Sequence, residues 1–230
     1  MAYFPFMMEI GGKEILIIGG GPVALRKCEL FLDYGARVTV VSPDLCPGLA
    51  ALRESGGMDG AGVGQSRDGS GQSRAESGAG GGRAEQREPA LTWIQGEYSA
   101  DLLTKEVFAV VAATADREVN RRIYGDCQAS RLPVNVVDDP ELCGFIVPAL
   151  VRRGDLSIAV STGGKSPSLA GKLRRELEKR YDESYGERLE LLGRYRAAVL
   201  RGALPIEEKR QRLGAAAELP LEELRRLAKG

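Results

Sequence analysis

The chain has 230 residues and a formal net charge of +0, from 32 Lys and Arg against 32 Asp and Glu, so it lacks the basic excess of a nucleic-acid-binding protein. No apolar run approaches the ~18 residues of a membrane span, no signal peptide is visible, and four cysteines without a CxxC pair predict a cytoplasmic protein with free thiols. The absence of histidine excludes Ser-His-Asp catalysis and every His-containing metal site, so we expect no resident metal.

The first 140 residues alternate between patterns typical of strands and of helices. Short apolar runs predict strands at 14–18, 37–41, 91–94, 107–113 and 134–137. One helix is predicted from Pro22 to Gly35 and another over 116–130. This alternation predicts an α/β fold, with a Rossmann-type parallel sheet and helices on both faces, over residues 1–140.

Residues 55–88 interrupt this alternation. Eleven of these 34 residues are glycine, and Gly-Gln-Ser-Arg occurs at 64–67 and again at 71–74. Because so few of them are apolar, we predict a disordered Gly-rich insertion on the surface of the first domain. A binding loop is the alternative.

The pattern changes after residue 140. Two short strands are predicted at 145–151 and 156–161, joined around 152–155, and they predict a strand pair over 141–165. Ser166 is a good helix cap before Pro167, and further helices complete a helical domain over 166–230.

Charge is divided unevenly between these parts. Residues 1–150 carry 14 basic and 20 acidic side chains, a net −6, whereas residues 151–230 carry 18 and 12, a net +6. The basic part indicates an anionic ligand, contact with the acidic part of another subunit, or a solvated helical surface.

The first strand leads into a glycine-rich turn. The sequence Gly19-Gly20-Gly21-Pro22-Val23-Ala24 matches G-x-G-x-x-A, whose glycines permit a tight turn and the close approach of a pyrophosphate. The helix N-terminus adds N–H groups for the phosphates. Because the motif follows a strand and opens a helix, it predicts dinucleotide binding by residues 19–23. The alternative is a structural turn in another α/β fold.

Two other strand ends are expected at the same crevice, because ligands of such sheets bind beyond the carboxyl ends of the strands. Ser42, Pro43 and Asp44 follow the second strand. Asp44 comes two positions later than the usual ribose-binding acid, and no arginine follows at once, which favours NAD over NADP. Ala113 and Thr114 end the fourth strand, and Thr114 fits a cofactor contact and a helix cap equally well.

Asp138 and Asp139 end the fifth predicted strand at that edge. Without histidine, an aspartate in the crevice is the natural general base, although these residues alone favour a plain solvent-exposed turn. The segment Thr162-Gly163-Gly164-Lys165-Ser166 precedes a helix and contains a cation, so it predicts either a carboxylate or phosphate site or a capped turn.

Several segments in register resemble the precorrin-2 dehydrogenase/sirohydrochlorin ferrochelatase family, the dehydrogenase module of sirohaem synthase. The matching segments are 18–24 with Arg26-Lys27, 112–114 with Val119-Asn120, 135–138, 145–148 and 160–167. Their order and spacing cover residues 3–200 apart from the Gly-rich insertion.

The resemblance implies NAD-dependent oxidation of precorrin-2 to sirohydrochlorin and, in bifunctional members, insertion of Fe²⁺ to give sirohaem. It assigns the catalytic aspartate to Asp138, which reverses the preference for a plain turn. Thr162 stands where the family has a phosphorylatable serine. The residues expected to bind the substrate are Asn135, Thr162, Gly163, Lys165 and Ser166.

Members of this family are homodimers, so the strand pair is expected to serve dimerisation and the helical domain to hold the tetrapyrrole. The basic C-terminal part suits an anionic macrocycle. The chain ends without the length that a fused methyltransferase would add, which indicates the stand-alone form.

A different class of function would use the same glycine motif. An NAD(H)-sensing regulatory domain needs no catalysis, and Asp138 would be dispensable in it. A third alternative is another Rossmann dehydrogenase that acts on a small substrate. Against it, none of the 7 tyrosines has the lysine four residues later that is typical of short-chain dehydrogenases. We therefore expect NAD and precorrin-2 as ligands, Fe²⁺ as a further substrate if the chain is bifunctional, a second copy of the chain as partner, and neither nucleic acid nor membrane.

Overall fold

The computed structural model describes residues 3–56 and 90–228, which form two compact units. The described residues up to 147 belong to the first unit, and Pro148 begins the second. The predicted insertion, apart from Ser55 and Gly56, lies outside the described residues. No helix in the described ranges is both long and apolar enough to cross a membrane.

The start of the first unit shows why this sequence folds locally as predicted. Strand β1 (Glu14–Ile18) is followed by helix α1 (Pro22–Asp33), with Pro22 in the first turn, where its missing N–H is not needed. Buried residues recur at i, i+4, i+7 and i+8 along α1 and form its inner face. They are Ala24, Cys28, Phe31 and Leu32.

The five strands of the first unit form one parallel sheet in the order β3-β2-β1-β4-β5. Beside β1 they are β2 (Arg37–Ser42), β3 (Leu91–Gln95), β4 (Val107–Ala112) and β5 (Val134–Val136). Ile18 at the end of β1 pairs with Val41 and with Ala112, and Ala112 pairs with Val136. The carboxyl ends of β2, β1, β4 and β5 therefore lie side by side.

Each face of the sheet has its own hydrophobic core, because successive strand residues point to opposite sides. Ile15 and Ile17 pack with α1 and with α2 (Pro47–Glu54), whereas Leu16 and Ile18 pack with α3 (Arg117–Ser130). Helices thus cover both faces, which confirms the predicted Rossmann-type fold. Helix α2 was not predicted.

The predicted strand pair is present in the second unit. Strands β6 (Ala149–Arg153) and β7 (Leu156–Val160) pair antiparallel across a two-residue turn, with Arg153 opposite Leu156. The strand β6 starts later than residue 145, where the prediction began it. Phe145 and Val147 pack instead against the core of the first unit.

Four helices complete the second unit: α4 (Pro167–Arg180), α5 (Ser184–Arg201), α6 (Ile206–Glu218) and α7 (Leu221–Leu227). Its helical core is small and centres on Leu191, Ala216 and Leu224. On α4 the inner face passes through Ala170, whereas Leu169 and Leu173 are exposed.

Candidate active site

The glycine turn after β1 is built against the end of β4. Gly19 has a φ of 128°, and its N–H donates to the carbonyl oxygen of Val41 at 2.8 Å. A Cβ at Gly19 would lie 2.4 Å from the carbonyl oxygen of Ala113 and 3.2 Å from the nitrogen of Thr114. Only glycine fits this position, so the turn and the end of β4 are held in contact.

The next glycine is required by the loop after β2. A Cβ at Gly20 would lie 1.9 Å from the carbonyl oxygen of Asp44 and 2.6 Å from the hydroxyl oxygen of Ser42. The Ser42 hydroxyl donates to that same carbonyl of Asp44 at 2.8 Å, and the Cys46 N–H donates to the carbonyl of Gly20 at 2.8 Å. The G-x-G-x-x-A motif allows any residue at this position, yet here the close approach of the Ser42–Cys46 loop requires glycine.

Gly21 marks the open side of the turn. It is the extended N-cap of α1, no side chain caps the helix, and a Cβ there would meet nothing within 4 Å. The first bond inside the helix is donated by Leu25 to Gly21 at 3.1 Å. The N–H groups of Val23 and Ala24 precede it and are available to an anion. This cradle of open space and backbone donors fits the pyrophosphate of a dinucleotide.

Thr114 at the end of β4 is held by α3. Its hydroxyl lies 2.8 Å from Asn120 Oδ1 and 2.9 Å from the carbonyl oxygen of Asp116, and it accepts from the Asp116 N–H at 3.2 Å. Asn120 is buried and also bonds the backbone of Thr114. The hydroxyl is therefore engaged within the protein, while the backbone of Thr114 borders the glycine turn.

Asp138 lies in a turn directly after β5. The Asp139 N–H donates to the carbonyl oxygen of Val136 at 3.4 Å, and Asp138 is the third residue of this turn, with a φ of 61°. Such a position favours Gly or Asn, and Asp adopts it more readily than most side chains. The side chain of Asp138 is exposed, and the Val137 N–H donates to the carbonyl oxygen of Ala112 at 2.9 Å, next to the end of β4.

A cleft of about 200 Å³ opens beside this turn. Its lining combines two carboxylates, one guanidinium, one amide and three apolar side chains, from Arg117, Asn120, Val136, Val137, Asp138, Asp139 and Leu142. Arg117, the first residue of α3, makes no ion pair with any residue that the structure describes. Arg117 was not identified from the sequence, because its approach to the aspartates depends on the pairing of β4 with β5.

Asn135 is 8% exposed, and both bonds of its amide nitrogen are to the protein. Nδ2 donates to the carbonyl oxygen of Phe145 at 3.0 Å and to Cys143 Sγ at 3.4 Å. Burial raises the pKa of the Cys143 thiol, so the thiol stays protonated at neutral pH and remains a hydrogen-bond donor. Burial, together with Arg26, lowers the pKa of Lys27.

The predicted substrate loop lies in the second unit. The N–H of Ser166 donates to the hydroxyl oxygen of Thr162 at 3.2 Å, and Ser166 caps α4 by accepting from the Leu169 N–H at 3.2 Å. Gly163 has a φ of 60°, and the side chain of Lys165 is exposed. The loop thus displays a cation and the start of a helix. In the described residues no group of three or more Cys, Asp or Glu is placed to hold a metal ion.

Models of two protein families match the chain. Residues 6–149 match the family described as "Putative NAD(P)-binding", and residues 153–180 match the one described as "Sirohaem biosynthesis protein central". The first match covers the whole parallel sheet and the glycine turn. The second begins in β6 and ends with α4.

Three similar proteins are named siroheme synthases. That of Thioalkalivibrio sulfidiphilus is 39% identical over 212 residues, which is 92% of this chain and 36% of that protein. The Neisseria meningitidis serogroup C protein is 34% identical over 92% of this chain and 37% of its own length, and siroheme synthase 1 of Aeromonas salmonicida is 36% identical over 92% and 38%. The chain therefore spans little more than a third of the length of these relatives.

A solved structure, "SirC, precorrin-2 dehydrogenase", resembles the chain over both units. The TM-score is 0.69 at 25% sequence identity, and the alignment covers 99% of this chain and 98% of the solved one. The family matches and this fold agree, and the chain belongs to the NAD(P)-binding family that includes the N-terminal module of sirohaem synthase and SirC-like precorrin-2 dehydrogenases.

Proposed function

We propose that the chain is a precorrin-2 dehydrogenase that oxidises precorrin-2 to sirohydrochlorin with NAD⁺ in sirohaem biosynthesis. The observation that carries the proposal is the left-handed turn that presents Asp138 in a cleft at the carboxyl end of β5. The ends of β1 and β4 beside it carry the dinucleotide cradle. The proteins that the chain resembles are named siroheme synthase and precorrin-2 dehydrogenase.

In this proposal the chain binds and orients, while the cofactor accepts the electrons. When bound, the nicotinamide takes up the hydride that leaves the macrocycle. The backbone N–H groups of Val23 and Ala24 would hold the pyrophosphate in the open space at Gly21. The Asp138 carboxylate accepts the proton that precorrin-2 loses, because no histidine is present and this carboxylate is exposed in the cleft.

We assign NAD rather than NADP as the cofactor. The exposed Asp44 follows β2, where the adenosine ribose of a dinucleotide is bound in this fold, and its charge suits two ribose hydroxyls but repels a 2′-phosphate. Residues 42–52 contain no Lys or Arg. Arg53, the first cation beyond them, lies over the ring of Trp93 at 5.1 Å.

The basic second unit is proposed to attract the polycarboxylate substrate through its charge. Lys165 forms no ion pair with any described residue, and the Thr162–Ser166 loop places it before α4. The strand pair is proposed to join two copies of the chain, because among the described residues β6 and β7 pair with each other in a sheet of their own, and such a two-stranded sheet is marginally stable alone. Sedimentation of the purified protein tests the homodimer.

Insertion of Fe²⁺ into sirohydrochlorin is the second activity proposed for this site. The pyrrole nitrogens must lose their protons for metal insertion, and the carboxylate of Asp138 is able to accept one. Iron is here a substrate that passes to the macrocycle, so the chain needs no permanent metal site.

The test is an anaerobic assay with enzymatically made precorrin-2 and NAD⁺, followed by the absorbance of sirohydrochlorin. Asp138→Asn is assayed in parallel, because Asn also adopts the left-handed turn. NAD⁺-dependent product that is lost in the variant supports the dehydrogenase. If the protein is folded and binds NAD but does not turn over precorrin-2, the result contradicts the dehydrogenase and favours an NAD(H)-sensing regulatory domain. Fe²⁺ is then added, and insertion no faster than the enzyme-free blank contradicts the second activity.

A further inference from the structure

The turn that carries Asp138 is tied from behind by a thiol. Cys143 Sγ lies 3.2 Å from the carbonyl oxygen of Val136 and 3.3 Å from that of Asp139, within reach of a sulfur donor. These two carbonyls flank Asp138 on both sides. The turn's own bond, from the Asp139 N–H to Val136, is long at 3.4 Å. The thiol has one hydrogen, which it can donate to either carbonyl, and it therefore ties Cys143 to the same turn.

A buried amide holds this thiol in place. Asn135 Nδ2 contributes one hydrogen to Cys143 Sγ and the other to the carbonyl oxygen of Phe145. The backbone reinforces the arrangement, because the Gly144 N–H donates to the carbonyl oxygen of Val134 at 2.8 Å. The segment after the turn is thus bound along the outer edge of β5. We name Asn135 and Cys143 together the clasp.

We propose that the clasp positions the Asp138 carboxylate for proton transfer, so that Asn135 and Cys143 are positioning residues rather than substrate contacts. The inference rests on the proposed function. A non-glycine residue with φ near 60° stays there only when its surroundings hold it. Without the thiol, the turn can relax toward ordinary φ values and move the carboxylate. A displacement of about 1 Å at a reacting group can lower the rate by up to ~100-fold.

The experiment compares Cys143→Ala, Cys143→Ser and the control Cys127→Ala in the full chain. Cys127 is a fully buried thiol on α3 whose sulfur forms no hydrogen bond with the turn in the described part of the chain, so its variant reports the general cost of losing a buried sulfur. We expect Cys143→Ala to lower kcat about tenfold with KM for NAD⁺ unchanged. The serine variant, which retains a donor, should recover at least a third of kcat. The control should keep wild-type kcat per folded molecule.

Amide hydrogen exchange at Asp139 provides a second measurement that does not require turnover. It should be faster in Cys143→Ala than in wild type and unchanged in the control. A wild-type kcat in Cys143→Ala, or no recovery with serine, overturns the positioning role. If the wild-type protein itself turns nothing over, the proposed function fails, and unchanged exchange at Asp139 would then overturn the clasp separately.

Discussion

Two turns at the carboxyl edge of the sheet place functional groups by opposite means. The glycine turn after β1 depends on the absence of side chains, because a Cβ at Gly19 or Gly20 would overlap backbone atoms that follow neighbouring strands. The turn after β5 depends on side chains. Asp138 has a left-handed backbone conformation there, and the side chain of Cys143 is bonded to the turn. The first offers backbone donors, and the second offers a carboxylate.

This difference determines how each turn should respond to substitution. The glycine turn is shaped by steric contact, so a single methyl group changes its geometry. The turn after β5 is shaped by hydrogen bonds, so its geometry should change gradually as donors are removed. In each turn, a matched pair of variants can separate the effect on backbone geometry from the effect on binding or catalysis.

The largest effect is expected from Gly20→Ala. Its Cβ would lie 1.9 Å from the carbonyl oxygen of Asp44, so the loop after β2 must move, at a cost of about 3 kcal/mol in the free energy of unfolding. Gly21→Ala is the matched variant, because it has open space and an ordinary φ. It should keep wild-type stability but lose NAD⁺ affinity, since its methyl group fills the cradle. Denaturant unfolding and titration with NAD⁺ measure the two effects. Equal stability of the two variants would refute the steric account.

Substitution of Asp138 should separate the carboxylate from the turn. Asp138→Asn should lower kcat about 100-fold, because the proposed general base is lost, with little change in stability. Asp138→Gly should lower kcat as much but raise the free energy of unfolding by up to about 1 kcal/mol, because glycine adopts a positive φ without strain. A less stable Gly variant would mean that the side chain, not the backbone, stabilises the turn.

The sequence predicted the glycine turn more completely than the turn after β5. Gly19 through Ala24 are contiguous, and their roles follow from local backbone geometry and one neighbouring strand. The need for glycine at position 20 was not visible, because it arises from Asp44 in a separate loop. Asp138 was identified through resemblance, whereas Arg117 and Cys143 were not, since only the fold brings them to the same turn.

Arg117 provides a test of the cleft with an intermediate expected effect. It lines the cleft with Asp138 and forms no ion pair with other residues in the described part, so its guanidinium suits a carboxylate of the substrate. Arg117→Gln should raise KM for precorrin-2 about fivefold, at unchanged KM for NAD⁺. Arg121→Gln is the control, because Arg121 pairs with Glu118 and does not line the cleft. Equal effects of both variants would indicate a general loss of positive charge.

The smallest effect is expected at alkaline pH, where the thiol of the clasp titrates. Burial raises the pKa of Cys143 above its unfolded value, so its stabilising contribution is complete below the ordinary thiol pKa of about 8.5. That contribution is lost as the pH rises through the folded-state pKa. The thiolate has no proton to donate to the turn, whereas the hydroxyl of Cys143→Ser does not titrate in this range.

The wild-type protein should therefore lose more thermal stability between pH 8 and 10 than Cys143→Ser does. Burial also raises the pKa of Cys28 to about 12 and that of Cys127 to about 11, but both thiols are present in each protein and cancel in the difference. Parallel alkaline profiles would mean that the proton of Cys143 does not hold the turn. A steeper wild-type profile, with kcat falling over the same range, would link the geometry of Asp138 to a single thiol proton.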